Sequence, residues 1–337
     1  MFMPWQEVSL VTVISFIEAV SQALREEMQR DRRVFVLGED VGVRGGVFRA
    51  TKGMLEEFGE KRVIDTPLSE AAIAGIAVGA SAFGLRPVAE IQFADYMMTA
   101  VNQIVNEAAK MRYRSNGDWH CPMVIRAPFG GGVHGSLYHS QSVEAMFCNI
   151  PGLKVVVPST PYDAKGLLKA AIRDEDPVLF FEHKRCYRLI KGEVPDSDYI
   201  VPIGKSSIRR EGKHITVISY GLSLHFVLEA ATRLEEDGYS AHIVDLRTLY
   251  PLDKETIVTA ARKTGKVLIV HEDNKEGGVG GEVAAVIAEE CFYELDAPIR
   301  RLCGPDVPAM PYNPVMEQFF MLNPDKVYQA MLDLAEL

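Results

Sequence analysis

Glu70 follows Thr66 and Ser69, either able to cap a helix, and opens the stretch EAAIAGIAVGASAF. A carboxylate in a first helical turn meets unpaired amide hydrogens and the positive dipole end, worth ~0.3–1 kcal/mol as plain helix stabilisation. The same placement also fixes a proton-sharing group in space. His134 and His139 lie in FGGGVHGSLYHSQS, where glycines let a backbone approach a ligand and present imidazoles beside it. Glu39 and Asp40 close the apolar run VFVLGED and lead into GVRGG, which is neither a Walker loop nor a GxGxxG fingerprint. Its glycines serve equally well as turns. Asp95 and Tyr96 follow VAEIQF. Glu70, Glu90 and Asp95 with Tyr96, framing a small-residue helix, suggest a packed interface with something polar held in it.

The elements that must carry these groups alternate. From Ala71 to Phe83 the residues are nearly all small, with Gly75 and Gly79 four apart, the composition of a helix built to be buried against another backbone. Ile14 to Arg30 reads as a helix, Val34 to Asp40 and RVID as strands, Thr99 to Tyr113 as a helix and PMVIRAP as a strand. Ser142 can cap VEAMFC; GLKVVVP is a strand, and Thr160, Pro161 and Asp163 begin a helix before the buried strand PVLFFE. Residues 187–210 lose the period and read as a crossing segment with a small hairpin. From Ile215 strands alternate with helices at Leu222–Glu236, Asp253–Lys263 and Val279–Glu290, and a last helix is capped by Asn323 and opened by Pro324. That order predicts parallel α/β sheets with right-handed crossovers.

Composition narrows the function. A net charge of -10, with no basic tail or patch, disfavours nucleic acid and anionic membranes as partners. The opening MFMPWQEVSLVTVISFIEAV lacks a basic leader and a cleavage site, and no apolar run reaches the ~18 residues of a span. Cysteines at 121, 148, 186, 291 and 303 are odd in number with no CxxC, pointing to a reducing compartment and away from structural zinc. There is no HExxH and no serine elbow.

GEDVGVRGGVFRAT, EKRVIDTPLSE, AEIQFADY, NQIVNEAAKMRYRS, HGSLYHSQSVEA and PGLKVVVPSTPYDAKGLL resemble the beta subunits of the thiamine-diphosphate-dependent 2-oxo acid dehydrogenases. The likeness continues through VISYG, VDLRTLYPLD, HED and PDVPAMPYNP, so it covers essentially the whole chain. Within the family it is greatest to bacterial branched-chain 2-oxo acid subunits, with the pyruvate enzyme as the alternative.

This resemblance implies a transketolase-like pyrimidine-binding domain over 1–190, a linker over 191–210 and a transketolase C-terminal-type α/β domain over 211–337. It implies that Glu70 bonds a pyrimidine nitrogen of thiamine diphosphate and so helps its thiazolium carbon lose a proton. Tyr96 and Leu68 match residues beside that ring, Glu39 a residue in a loop near the cofactor, and His139 the histidine that assists reductive acylation of the lipoyl group. His134 is a further candidate. Met123, Val124, Ala171, Asp174 and Asp176 match positions around a structural potassium ion.

The GDG motif with its following asparagine pair, which holds magnesium and the diphosphate, does not occur here. In the family that half belongs to the alpha subunit. The implied assembly is an alpha2-beta2 heterotetramer, incomplete as beta alone, serving an acyltransferase core with its lipoyl domain in a bacterial cytoplasm. A self-sufficient transketolase-like enzyme would need the missing motif. A non-enzymatic module would need neither Glu70 nor His139.

Overall fold

Apolar runs bounded by glycine and acidic turns become strands, and helices with one apolar stripe cover them. The computed structural model describes residues 11–337; the first half of the opening apolar tract, and the start of the expected first domain, lie outside the described residues. One sheet has seven strands in the order Thr248–Tyr250, Lys154–Val156, Val178–His183, Val124–Phe129, Arg86–Glu90, Val34–Gly38, Val63–Asp65. Its pairings are parallel except that of Thr248–Tyr250 with Lys154–Val156. The second sheet has five strands, Arg300–Gly304, Val267–Asn274, Ile215–Ser219, Ala241–Asp245 and Ser207–Arg210, antiparallel only at the last pairing. One apolar core runs across both, from Phe129 and Val157 to Ile218, Tyr220, Leu249 and Val279. Among the described residues no helix is long and apolar enough to cross a membrane.

Several expectations shift on contact with the structure. The first helix starts at Phe16, because Ser15 and Glu18 form a reciprocal capping box; Ile14 belongs to the strand Val11–Ser15. Residues 187–210 form no hairpin of their own. Lys191–Pro195 pairs with Val11–Ser15, while Ser207–Arg210 joins the second sheet and sends Arg209 to Asp163 and Asp245. Ser142 caps nothing: the short helix is Ala145–Cys148, after Glu144. The expected helix over Thr99–Tyr113 is broken into Met97–Val101, a wide turn over Asn102–Ala108 and Met111–Arg114, with Ala109 N donating to Ile104 O at 3.0 Å. Thr160, Pro161, Asp253 and Asn323 begin their helices as expected.

The small-residue helix spans Glu70–Ala82, with Ser69 at its cap but no side-chain cap bond. Only one face is buried, through Ile73, Ala74, Ala77, Val78 and Ser81. Ala71, Ala72, Ile76 and Gly79 are exposed and Phe83 is 92% exposed, so this chain leaves the other face bare.

Candidate active site

Five adjacent parallel strands end on one edge of the seven-stranded sheet. The crevice beyond such carboxyl ends is where α/β sheets hold ligands. The segments leaving these five strands carry Glu39, Glu70, Asp95 with Tyr96, His139 and Lys184.

Three of these residues, Glu70, Tyr96 and His139, are linked by contacts. The Thr99 hydroxyl lies 3.1 Å from Glu70 Oε2 and 2.9 Å from the Tyr96 carbonyl, and its single proton serves one of them at a time. Tyr96 Oη is 3.4 Å from His139 Nε2. The Phe93 ring meets the His139 imidazole edge-on at 4.4 Å between centroids. Glu39 belongs to the same electrostatic cluster: burial, then Asp40 and Glu70, push its carboxyl above the usual range. Gln92 Nε2 donates to the Glu39 carbonyl at 3.4 Å.

Leu68 is 71% exposed and stands outside this chain of contacts. His134 turns elsewhere, its Nδ1 lying 2.5 Å from Glu317 Oε2. The glycines beside it answer a packing demand. A Cβ on Gly130 would stand 2.1 Å from His183 Nε2, and one on Gly132 would stand 2.4 Å from Arg185 Cδ. What the loop backbone approaches so closely is this chain's own side chains.

Sequence reasoning missed Thr99, Phe93 and Lys184 as parts of the site. Lys184 is buried beneath Phe93, its Nζ 5.5 Å from the ring centroid and, among the described residues, without a hydrogen-bond partner. Burial pulls its pKa down to about 8, against Asp95 and Glu272, which pull it up. Its place at the carboxyl end of PVLFFEH was the available signal.

Under the Glu39 loop lies a buried ionic floor. Arg126 Nε and Nη2 donate to Glu182 at 2.6 and 2.7 Å, and Nη1 donates to Glu90 Oε2 at 2.6 Å. Tyr187 Oη donates to Glu182 at 2.7 Å. Gly46 must be glycine here: its φ is +79°, and a Cβ would sit 2.9 Å from Glu90 Oε1.

The residues expected around a potassium ion have partners within this chain. Met123 O accepts from Val178 N at 3.0 Å and Ala171 O from Asp174 N at 3.2 Å. The Asp174 carbonyl accepts from Arg86 Nη1 at 2.8 Å, its carboxylate from Lys154 Nζ at 2.7 Å, and the Asp176 carboxylate from Arg112 Nε at 2.5 Å. Val124 is a buried member of the neighbouring strand. Cationic side chains serve both acids, while the backbone carbonyls each keep a second lone pair. Among the described residues no group of three or more His, Cys, Asp or Glu side chains is placed to hold a metal ion.

Comparison with known proteins bears on the fold and the family. The family described as transketolase, pyrimidine binding domain, matches residues 12–190, and that described as transketolase, C-terminal domain, matches residues 204–327. The 2-oxoisovalerate dehydrogenase subunit beta of Bacillus subtilis is 69% identical over 97% of this chain and 100% of its own length. The chain belongs to the beta subunits of the thiamine-diphosphate-dependent 2-oxo acid dehydrogenases. The pyruvate dehydrogenase E1 component subunit beta of the same organism is 49% identical over 87% of this chain and 90% of its own. A solved split gene transketolase, described as an inactive beta4 tetramer, superposes with a TM-score of 0.76 at 26% identity, covering 96% of this chain and 99% of that one.

The Glu70 end of this beta subunit fits the pyrimidine of the family's cofactor. Glu70 is part-exposed, and Thr99 is its one hydrogen-bond partner among the described residues, which leaves a carboxylate oxygen for a ring nitrogen. Tyr96 stands beside it with its ring partly open.

Proposed function

We propose that this chain is the beta half of a 2-oxoisovalerate dehydrogenase, acting on branched 2-oxo acids and passing the acyl group to the lipoyl group of an acyltransferase core. The observation that carries the reading is the identity of 69% to a branched-chain subunit against 49% to a pyruvate one, each over most of the chain. Scattered free cysteines agree with a reducing, cytoplasmic setting.

In this reading thiamine diphosphate, when bound, supplies the electron sink for decarboxylation. Glu70 holds a proton at a pyrimidine nitrogen, with Thr99 fixing the carboxylate. Tyr96, Leu68 and the Glu39 loop bound the ring. His139, oriented by Phe93 and Tyr96, holds or moves a proton where the lipoyl group arrives. An alpha subunit supplies the magnesium and diphosphate half. Support for that split comes from the missing GDG motif, from the bare face of the Glu70 helix and from the solved neighbour, whose description joins a split gene to an inactive beta4 tetramer. The assembly is then an alpha2-beta2 heterotetramer. Its beta chain divides into a pyrimidine-binding unit ending near residue 190, a linker from 191, and a C-terminal unit that takes in Ser207–Arg210, because that strand already pairs in the second sheet.

Decarboxylation measured with an artificial electron acceptor tests this. The chain co-expressed with an alpha subunit should turn over 3-methyl-2-oxobutanoate faster than pyruvate, and the chain alone should turn over neither. A preference for pyruvate overturns the substrate; activity of the chain alone overturns the split site.

A further inference from the structure

The second sheet's unit reaches the His139 loop. Glu272, in the strand Val267–Asn274, accepts from Gly131 N at 2.6 Å, and its other oxygen lies 2.9 Å from His183 Nε2. Glu317, in the helix Pro314–Phe320, accepts through Oε1 from Gly132 N at 3.0 Å and His134 N at 3.2 Å. Its Oε2 lies 2.5 Å from His134 Nδ1. That helix is inverted: Val315, Met316 and Phe319 are exposed while Glu317 is 2% exposed.

A buried carboxylate persists where hydrogen bonds replace the water it lost. Here the replacements are amides of one loop. From the first unit, Asp95 Oδ1 accepts from Ser140 N and Gln141 N at 3.3 and 3.1 Å. His139 therefore sits between two sets of anchors, one of them borne by the second unit. Between them the loop holds two non-glycine residues in the left-handed region, His134 at φ +56° and Ser136 at +58°, a shape that persists where surroundings impose it.

We propose that Glu317, together with Glu272, is a positioning residue that sets where the His139 imidazole stands, making the second α/β unit part of the acyl-transfer machinery. This deepens the function proposed above and rests on its assignment of His139 to transfer.

The test uses the heterotetramer with three beta variants, His139→Asn, Glu317→Ala and Glu317→Gln. Two rates are compared: decarboxylation with an artificial acceptor, and acylation of a free lipoyl domain. A misplacement of about 1 Å costs on the order of a hundredfold, so Glu317→Ala should slow acylation by about ten- to a hundredfold while decarboxylation stays within about threefold. Glu317→Gln keeps an acceptor for both amides and should recover most of the loss. Hydrogen exchange over residues 130–142 should quicken in Glu317→Ala and not in Glu317→Gln.

If His139→Asn abolishes acylation while Glu317→Ala spares it, or if Glu317→Ala slows both rates equally, the positioning role is overturned and the site stands. If His139→Asn spares acylation, the site assignment fails and takes the proposal with it. Should Glu317→Ala not assemble, His134→Ala removes only the side-chain contact. A loss of about three- to tenfold confined to acylation supports the role in that case, and no loss overturns it.

Discussion

Glu70 has one hydrogen-bond partner among the described residues, Thr99, on a helix whose outer face is bare, whereas His139 is walled by Phe93 and Tyr96 in a loop anchored by Asp95, Glu272 and Glu317. The two ends of one site are thus finished to different degrees. At the Glu70 end the chain supplies a reactive group and leaves its surroundings open. At the His139 end it supplies the group and most of the scaffold. Under the proposed function, an open end suits a site completed by another subunit, and an anchored end suits a group that must be in place when a lipoyl-bearing domain arrives.

The comparison breaks most sharply at Glu70. Glu70→Gln in the heterotetramer should lower decarboxylation by about a thousandfold, the scale of lost acid–base catalysis, with the melting temperature nearly unchanged. A large loss of stability with little loss of rate would return Glu70 to helix stabilisation. The buried floor should behave the opposite way. Arg126→Met leaves Glu90 and Glu182 buried without their cation and should cost about 3–5 kcal/mol in chemical denaturation. A cost below ~1 kcal/mol would show that the floor is hydrated.

A smaller effect, in pH, sharpens the anchored end. Where the His139 loop runs into its short helix, Glu144 takes a hydrogen bond from Tyr220 Oη at 2.9 Å, and Asp273 accepts from the Ala145 amide. Burial chiefly, with help from Glu272, pushes the Asp273 pKa from 3.8 to about 6. Burial and then Asp273 raise that of Glu144 as well. The native state therefore binds more protons than the unfolded chain across that window, so stability should fall as pH rises from about 4 through 6. Asp273→Asn should flatten the dependence of melting temperature on pH between about 4.5 and 7. An unchanged slope would place the titration elsewhere.

Local chemistry made much of this legible in the sequence. Strand runs such as VLFFE and ITVIS and the helix starts at Thr160, Asp253 and Asn323 are set by neighbouring residues, and they were readable for that reason. Glu70 and His139 drew notice through residue type and position, and the resemblance gave them roles. What could not be read depends on partners far along the chain. The edge strands Ser207–Arg210 and Thr248–Tyr250 are too short to announce themselves. Lys184 reads only as the residue after a strand and Glu272 as a strand end, and Glu317 lies in a helix the sequence reading did not include.

The sequence by itself determined where most strands and helices run and which side chains could do chemistry, since periodicity, capping and residue type are local. Only the tertiary structure decided that the FGGG glycines pack on His183 and Arg185, that cationic side chains serve Asp174 and Asp176, and that acids from the second unit anchor the loop of the first. Those outcomes turn on distances between groups from 20 to 185 residues apart along the chain, which packing alone sets.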